Sequence, residues 1–480
     1  MYNDKKYLTK SNVFGFAAGG FGQNLIIGTV NSFILYFYTD IFRIGLVATS
    51  VLMMVARIFD ALNDPVMGTI VDKTHSKLGK LRPYLAATPV PLMILTIAVF
   101  CTPNFSLAGR IAYASVTYIL WGITYTVCDI PFWGLPSVMT PNPEERVKFI
   151  TFSRLFHGIG GSLPLLVLPI SELIWGEKSS GAYLAAAVFA GVVGAGLFST
   201  AFFCSKERVI SADKHPSVAD CFRYLIKNKP LRTVVVSNVA GFTRAIAISA
   251  GLYIATYLAP DAPDFLPASL INTIIAAGWG VAGFIGMLFT PKLLQKSDYR
   301  KIYLICCALG IAAMILMIIL GFTVGYSIYM FVIVFTLMGL PYGIVCNLNY
   351  AMISESIDYI EWKEGRRTEG ISVSMQTFMN KMMTALQGAL IPLFMLIIGF
   401  VTPTDEVPSP PQTETAITGL FILVSVFPAL GWIINAILVS RYTLVGEERE
   451  RMYTELRLRH KAAEAENAQS SPADNIVEAE

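Results

Sequence analysis

Twelve apolar stretches, each about 20 residues or longer, leave this chain few ways to fold. They lie near 13–38, 44–71, 83–102, 111–139, 149–175, 182–204, 233–258, 267–291, 302–322, 326–357, 370–401 and 416–440. Runs of that length without strict alternation satisfy their backbone polar groups in lipid only as helices. The chain is therefore expected to be an all-α integral membrane protein with twelve transmembrane helices. Its 480 residues are 54% hydrophobic and only 14% charged, against roughly 25% charged in soluble proteins. The net charge of +3 is small and the basic residues are dispersed, so the bilayer is an expected partner and nucleic acid is not. Seven cysteines without CxxC or metal spacing argue against a disulfide framework or a zinc site. The first run is too long for a signal-peptide core and reads as a retained span.

Of the 36 lysines and arginines, 29 fall in the N-terminal tail, in loops after even-numbered spans, or in the C-terminal tail. The opposite loops hold only Arg43, Arg110 and Lys178. That asymmetry predicts a multi-pass plasma membrane protein, in a bacterium an inner membrane protein, with both termini cytoplasmic. The longest basic loop, 205–232, divides the spans six and six. The expected organisation is a six-helix half at 1–204, a connector at 205–232, a second half at 233–440 and a cytoplasmic tail at 441–480. The tail should form a short helix followed by disorder. Basic loops recur at an offset of about 220 residues, 72–82 matching 292–301. Two parallel six-helix repeats are the transporter plan in which substrate binds between the halves near the midplane. The loop 402–415 is Pro-rich and polar and reads as a flexible connection. The protein is expected to function as a monomer.

Four cations remain, each inside a predicted span: Arg57, Arg154, Arg244 and Lys381. In ARIFDALNDPVMG, from Ala56, Arg57, Asp60 and Asp64 share one helix face with Asn63 beside them. Asp60 lies about 20 Å along the helix from Lys73, a depth at which charge costs a few kcal/mol and marks a functional site by default. Clustered carboxylate oxygens suit a hard cation, so the stretch reads as a sodium or proton site. The alternative is a buried salt bridge from Arg57 to one or both aspartates, although two carboxylates exceed what one arginine neutralises.

In the fourth span Tyr125, Asp129 and Trp133 recur at i, i+4 and i+8, with Thr126 one turn before the aspartate. An indole face packs on a sugar ring while a carboxylate accepts its hydroxyl hydrogen bonds. Ordinary bundle packing, with Asp129 paired to an arginine, is the alternative. Arg154 either snorkels to the surface or reaches the same cavity, and His157 is a reserve candidate for proton transfer. Arg244 and Lys381 are deep enough to need anionic partners. The most economical arrangement brings spans 2, 4, 5 and 11 around one wet cavity. Arg244 either recognises a carboxylate on the substrate, or pairs with a protein carboxylate or lines the wet cavity. No Walker, HExxH or GxSxG motif occurs, so the chain is not expected to be an enzyme or to need an organic cofactor.

Five stretches carry a family resemblance over nearly the whole chain. They are FYTDIF from Phe37, ARIFDALNDPVMG from Ala56, KLGKLRPY from Lys77, TYILWGITYTVCDIPFWGL from Thr117 and ESIDYIEWKEGRRTEGI from Glu355. With these, the chain resembles the glycoside, pentoside and hexuronide cation symporters of the major facilitator superfamily. The resemblance implies the major facilitator fold, two pseudo-symmetric six-helix halves. It implies a cation site at Asp60, Asn63, Asp64 and Thr126, with Asp60 and Asp64 as sodium ligands and Lys381 close by. It implies sugar binding at Asp129, Trp133 and Arg154. Where the family pattern has a sugar-binding aspartate on the first helix, this chain has Asn24, preceded by Gln23 in place of lysine. A pocket tryptophan of the tenth helix becomes Cys346, and Arg244 has no counterpart. The expected function is secondary active symport of a glycoside or other small sugar with Na+, or with H+ or Li+ in its place. The charge changes make an anionic sugar such as a uronide a live possibility; proton-only symport or export of such a sugar is an alternative, and a membrane sensor on a transporter scaffold is another.

Overall fold

The computed structural model describes residues 7–74, 76–140, 143–208, 225–263, 265–364, 369–404, 406–407 and 410–469. Most of the predicted connector (209–224), part of the last family motif (365–368) and the end of the tail (470–480) lie outside the described residues. The described chain is helical throughout. Helix α1 (Lys10–Tyr36) starts at a reciprocal cap in which Thr9 Oγ1 accepts from the Asn12 backbone and Asn12 Oδ1 accepts from that of Thr9. It ends in a π-helical turn at Phe37–Ile41. There follow α2 (Leu46–Asp72), α3 (Arg82–Ala87), α4 (Pro89–Val99), α5 (Leu107–Met139), α6 (Pro143–Ser162), α7 (Pro164–Trp175) and α8 (Ser180–Cys204). After the connector come α9 (Lys229–Ala240), a 3-10 turn at Phe242–Ala245, α10 (Ile246–Ser249) and α11 (Gly251–Tyr257). The last six are α12 (Ala268–Leu294), α13 (Tyr299–Thr323), α14 (Ile328–Glu364), α15 (Glu369–Ile397), α16 (Glu414–Val439) and α17 (Gly446–Gln469).

Among the described residues nine helices are long and apolar enough to cross a membrane, or ten if α9 and the segment Phe242–Ser249, bent by 55°, form one span. Helix α2, at 27 residues, has the length to cross, about 40 Å, although not all of its side chains are described. Three predicted spans are interrupted in their helical hydrogen bonding. The third is interrupted at Thr88 and the fifth at Leu163, where Pro89 and Pro164 lack the amide donor, although Thr88 and Leu163 keep helical torsions and Phe152–Trp175 still forms one span. The seventh breaks at Gly241, where an added Cβ would lie 1.5 Å from Asn435 Nδ2. That asparagine occupies the room a side chain would need.

Helix α1 packs on α6 and α8, α4 on α8, and α2 on α5. Among the later helices, α12 and α13 pack on α14, and α9 and α13 on α16. Helices α12 and α14 meet backbone to backbone, since a Cβ on Gly343 would lie 1.9 Å from the Gly283 carbonyl oxygen. Small residues permit that approach in lipid, where dispersion rather than water exclusion drives helix association. Residues 10–204 meet residues 229–439 mainly through α2 on α15, α7 on α12 and α1 on α11.

Described hydrogen bonds between these two groups of helices gather at the ends away from the chain termini. There Tyr257 donates to Asp40 (2.8 Å), Thr39 and Tyr253 share a hydroxyl bond (2.6 Å), and Arg43 donates to the Thr404 carbonyl (2.7 Å). Ser269 bonds the Glu172 carboxylate and Thr273 the Leu165 carbonyl. At the opposite end the tail helix α17 docks on α14. Glu355 accepts from Arg449 Nε (2.6 Å) and Tyr453 (2.9 Å), Trp362 donates to Glu455 (2.6 Å), and Met452 is buried.

Candidate cation and sugar site

Asp64 on α2, Thr126 on α5 and Lys381 on α15 form one contact group. Thr126 Oγ1 donates to Asp64 Oδ1 at 3.3 Å while Lys381 Nζ pairs with Asp64 Oδ2. Asp60, one turn earlier on α2, faces an adjoining cavity of about 130 Å³ lined by Trp121, Tyr125, Thr126, Asn380 and Lys381. Gly122 makes room for the carboxylate, since a Cβ there would stand 2.8 Å from Asp60 Oδ1. The oxygens of Asp60, Asp64 and Thr126 are of the hard type that sodium takes. Among the described residues no three His, Cys, Asp or Glu side chains converge on a metal site.

Tyr125 links this cavity to a second cluster. Its ring stacks on Trp121 (5.4 Å between centroids, 17° between planes), and Trp121 is pinned by donating to Thr96 at 3.0 Å. Its hydroxyl donates to Asp129 Oδ1 at 3.4 Å, and the buried Gln23 donates to the same oxygen at 2.9 Å. One turn on, Trp133 is half exposed and sits beside the rings of His157 (4.9 Å) and Phe132 (5.8 Å). The Arg154 guanidinium lies over Trp133 at 5.8 Å and over Tyr350 of α14 at 5.2 Å.

The remaining predicted residues are placed less uniformly. Asn24 turns its amide to the Gly20 carbonyl of its own helix at 3.2 Å. Asn63 Nδ2 is buried with no hydrogen-bond partner. His157 Nδ1 sits 2.7 Å from the Ser153 carbonyl, and its Nε2 has no partner. The Arg57 side chain lies outside the described residues.

Arg244 departs from the expectation of an anionic partner. It is 2% exposed, and its guanidinium donates to Asn435 Oδ1 (2.9 Å) and Asn238 Oδ1 (2.6 Å) and lies 5.8 Å from the Tyr342 ring centroid. Asn238 and Asn349 exchange amide hydrogen bonds at 2.8 and 2.9 Å, and Tyr303 donates to Asn435 at 2.9 Å. Amide oxygens oriented by further hydrogen bonds thus solvate the cation where a carboxylate was expected. This cage is built from α9, the turn after it, α13, α14 and α16, apart from the Asp60 cavity.

Gln23, Trp121, Asn380 and Tyr350 enter the site without having been singled out as binding residues by sequence. Gln23 was visible only as a replacement, Asn380 and Tyr350 carry no charge that flags a membrane residue, and Trp121 continues the four-residue spacing of Tyr125, Asp129 and Trp133 by one turn.

The family model described as MFS/sugar transport protein matches residues 15–445. Among curated relatives, the uncharacterized symporter YnaJ of Bacillus subtilis (strain 168) is 30% identical over 459 residues, covering 93% of this chain and 94% of its own. The isoprimeverose transporter of Lactiplantibacillus pentosus is 26% identical over 472 residues, covering 95% and 93%. Among solved structures, the nucleoside transporter NupG superposes with a TM-score of 0.61 at 14% identity, over 90% of this chain and 100% of that one, a likeness of fold.

Proposed function

The chain belongs to the MFS/sugar transport protein family, and from that premise we propose that this membrane transporter carries a glycoside inward together with a monovalent cation, Na+ or H+ or Li+ in its place. The reading takes the nine apolar helices, the bent pair at α9, α2, and α3 with α4 as twelve spans in two halves, 1–204 and 233–440, joined by 205–232. Packing chiefly within each group of helices supports that division. With the basic loops and both termini in the cytoplasm, the hydrogen-bonded end is the outer one and the site opens inward.

The observation that carries the reading is the position of Tyr125. It lines the cavity beside Asp60 and Lys381 and also donates to Asp129. A cation taken up by the Asp60 and Asp64 carboxylates replaces the Lys381 ammonium on Asp64 and resets the wall that Tyr125 shares with the sugar site. Asp129, Trp133 and Arg154, with Asn24 nearby on α1, then receive the sugar: the carboxylate accepts hydroxyl hydrogen bonds and the indole takes the apolar ring face. Rocking of the two halves about this site exposes it to each side in turn. The isoprimeverose relative supports a glycoside as cargo.

The test is uptake of labelled glycosides into membrane vesicles across a tenfold sodium step at fixed pH. Uptake is expected to rise with sodium in the unaltered protein and to lose that response in Asp60→Cys and Asp64→Cys, with both variants present in the membrane. Full sodium stimulation in both variants would overturn the assignment.

A further inference from the structure

We propose that Tyr350 is a sugar-binding residue, and that it and Trp133 form a two-sided aromatic clamp for a sugar ring, which Arg154 fills when the site is empty. The proposal rests on the sugar site read above.

Tyr350 is 44% exposed and Trp133 39% exposed. In a helical membrane protein, exposed aromatic side chains ordinarily face lipid. These two do not, because both lie against one guanidinium: Arg154 belongs to α6, Trp133 to α5 and Tyr350 to α14. A side chain that reaches a ring on each group of helices lies between the groups, so the exposed faces look into the gap where the substrate passes. Trp133 is steadied by the tilted His157 ring and meets Phe132 at an edge-to-face angle of 83°.

The occupant is held loosely. Among the described residues Arg154 has the two ring faces as partners and no carboxylate within 4 Å. An exposed cation over an aromatic face is weakly bound, so an incoming ring can displace it. A saturated sugar ring offers apolar C–H faces on both sides, which suit a ring above and a ring below. The displaced guanidinium keeps its five donors for the hydroxyl or acid groups at the ring edge. A clamp with one jaw on each group of helices also closes only when the two approach, so bound sugar favours their rocking together.

Binding is measured on the purified full-length protein in sodium, with p-nitrophenyl β-D-xyloside, α-D-xyloside, β-D-glucoside, α-D-galactoside and β-D-glucuronide as probes. For the probe that the unaltered protein binds most tightly, Tyr350→Ala is expected to raise Kd about tenfold, the loss of one buried aromatic face. Tyr350→Phe is expected to restore affinity to within about twofold. Sodium affinity measured without sugar should be unchanged in both, which separates a binding role from misfolding. Trp133→Ala is the control for the site itself. If Trp133→Ala weakens binding and Tyr350→Ala does not, the clamp is overturned while the sugar site stands. If neither variant weakens it, or the unaltered protein binds none of the probes, the sugar site fails and the clamp with it.

Discussion

Lys381 of α15 and Thr126 of α5 hold the two oxygens of one carboxylate, Asp64 of α2, so that helices from both parts of the chain meet on a single ionisable group. The ammonium is the same kind of charge as the ion proposed to bind there. It competes with that ion and also keeps the ion-free site tolerable, since an unpaired carboxylate in a poorly solvated setting is costly. Lys381→Ala is therefore expected to bind sodium more tightly than the unaltered protein, by about tenfold, while net sugar uptake slows because the ion-free carrier must return with Asp64 lacking its ammonium partner. A sodium titration on the purified protein measures the first effect. Equal or weaker sodium binding would mean that Lys381 does not stand in for the ion.

Gly122 lies against Asp60, with an added Cβ 2.8 Å from Oδ1. The carboxylate is the end of a movable side chain, so Gly122→Ala should shift it without unfolding the helix. Alanine also has the higher helix propensity, by about 1 kcal/mol. The expected result is unchanged or raised thermal stability together with a several-fold increase in the sodium concentration that half-saturates uptake. An unchanged sodium requirement would detach Asp60 from the ion site.

The amide cage of Arg244 makes a structural prediction. Arg244→Gln removes two charge-assisted hydrogen bonds, to Asn238 and Asn435, whose oxygens keep the bonds they accept from Asn349 and Tyr303, and each hydrogen bond to a charged group contributes about 1.5–3 kcal/mol. The melting temperature should fall, and affinities for neutral and acidic sugars should fall together or stay as they are. A loss confined to acidic sugars would restore a substrate role for this residue.

Legibility from sequence differed between fold and site for identifiable reasons. Apolar runs give the all-helical membrane architecture directly, because the bilayer leaves no other use for such segments. The interruptions at Thr88 and Leu163 are readable in retrospect from Pro89 and Pro164. The break at Gly241 is not, because it depends on Asn435 of a distant helix filling the space beside it. In the site, Asp64, Thr126 and Lys381 come together as the buried charges and the family resemblance suggested, since a deep charge must find a partner. Gln23 and Tyr350 escaped because an uncharged residue in an apolar run carries no penalty that marks it. Arg244 was misjudged in its partners for a related reason: a sequence reading counts carboxylates, whereas the amide oxygens of Asn238 and Asn435, from separate helices, solvate this cation.

The central claim is that the cation and the sugar bind to one coupled site, and reciprocal binding tests it most directly. Radiolabelled sodium is titrated onto the purified protein with and without a saturating glycoside, and the glycoside with and without sodium. Thermodynamic linkage requires that the two ligands raise each other's affinity by the same factor. The account predicts a factor well above one in the unaltered protein and a factor of one in Asp64→Cys. Sodium and glycoside that bind the unaltered protein independently of each other would contradict it.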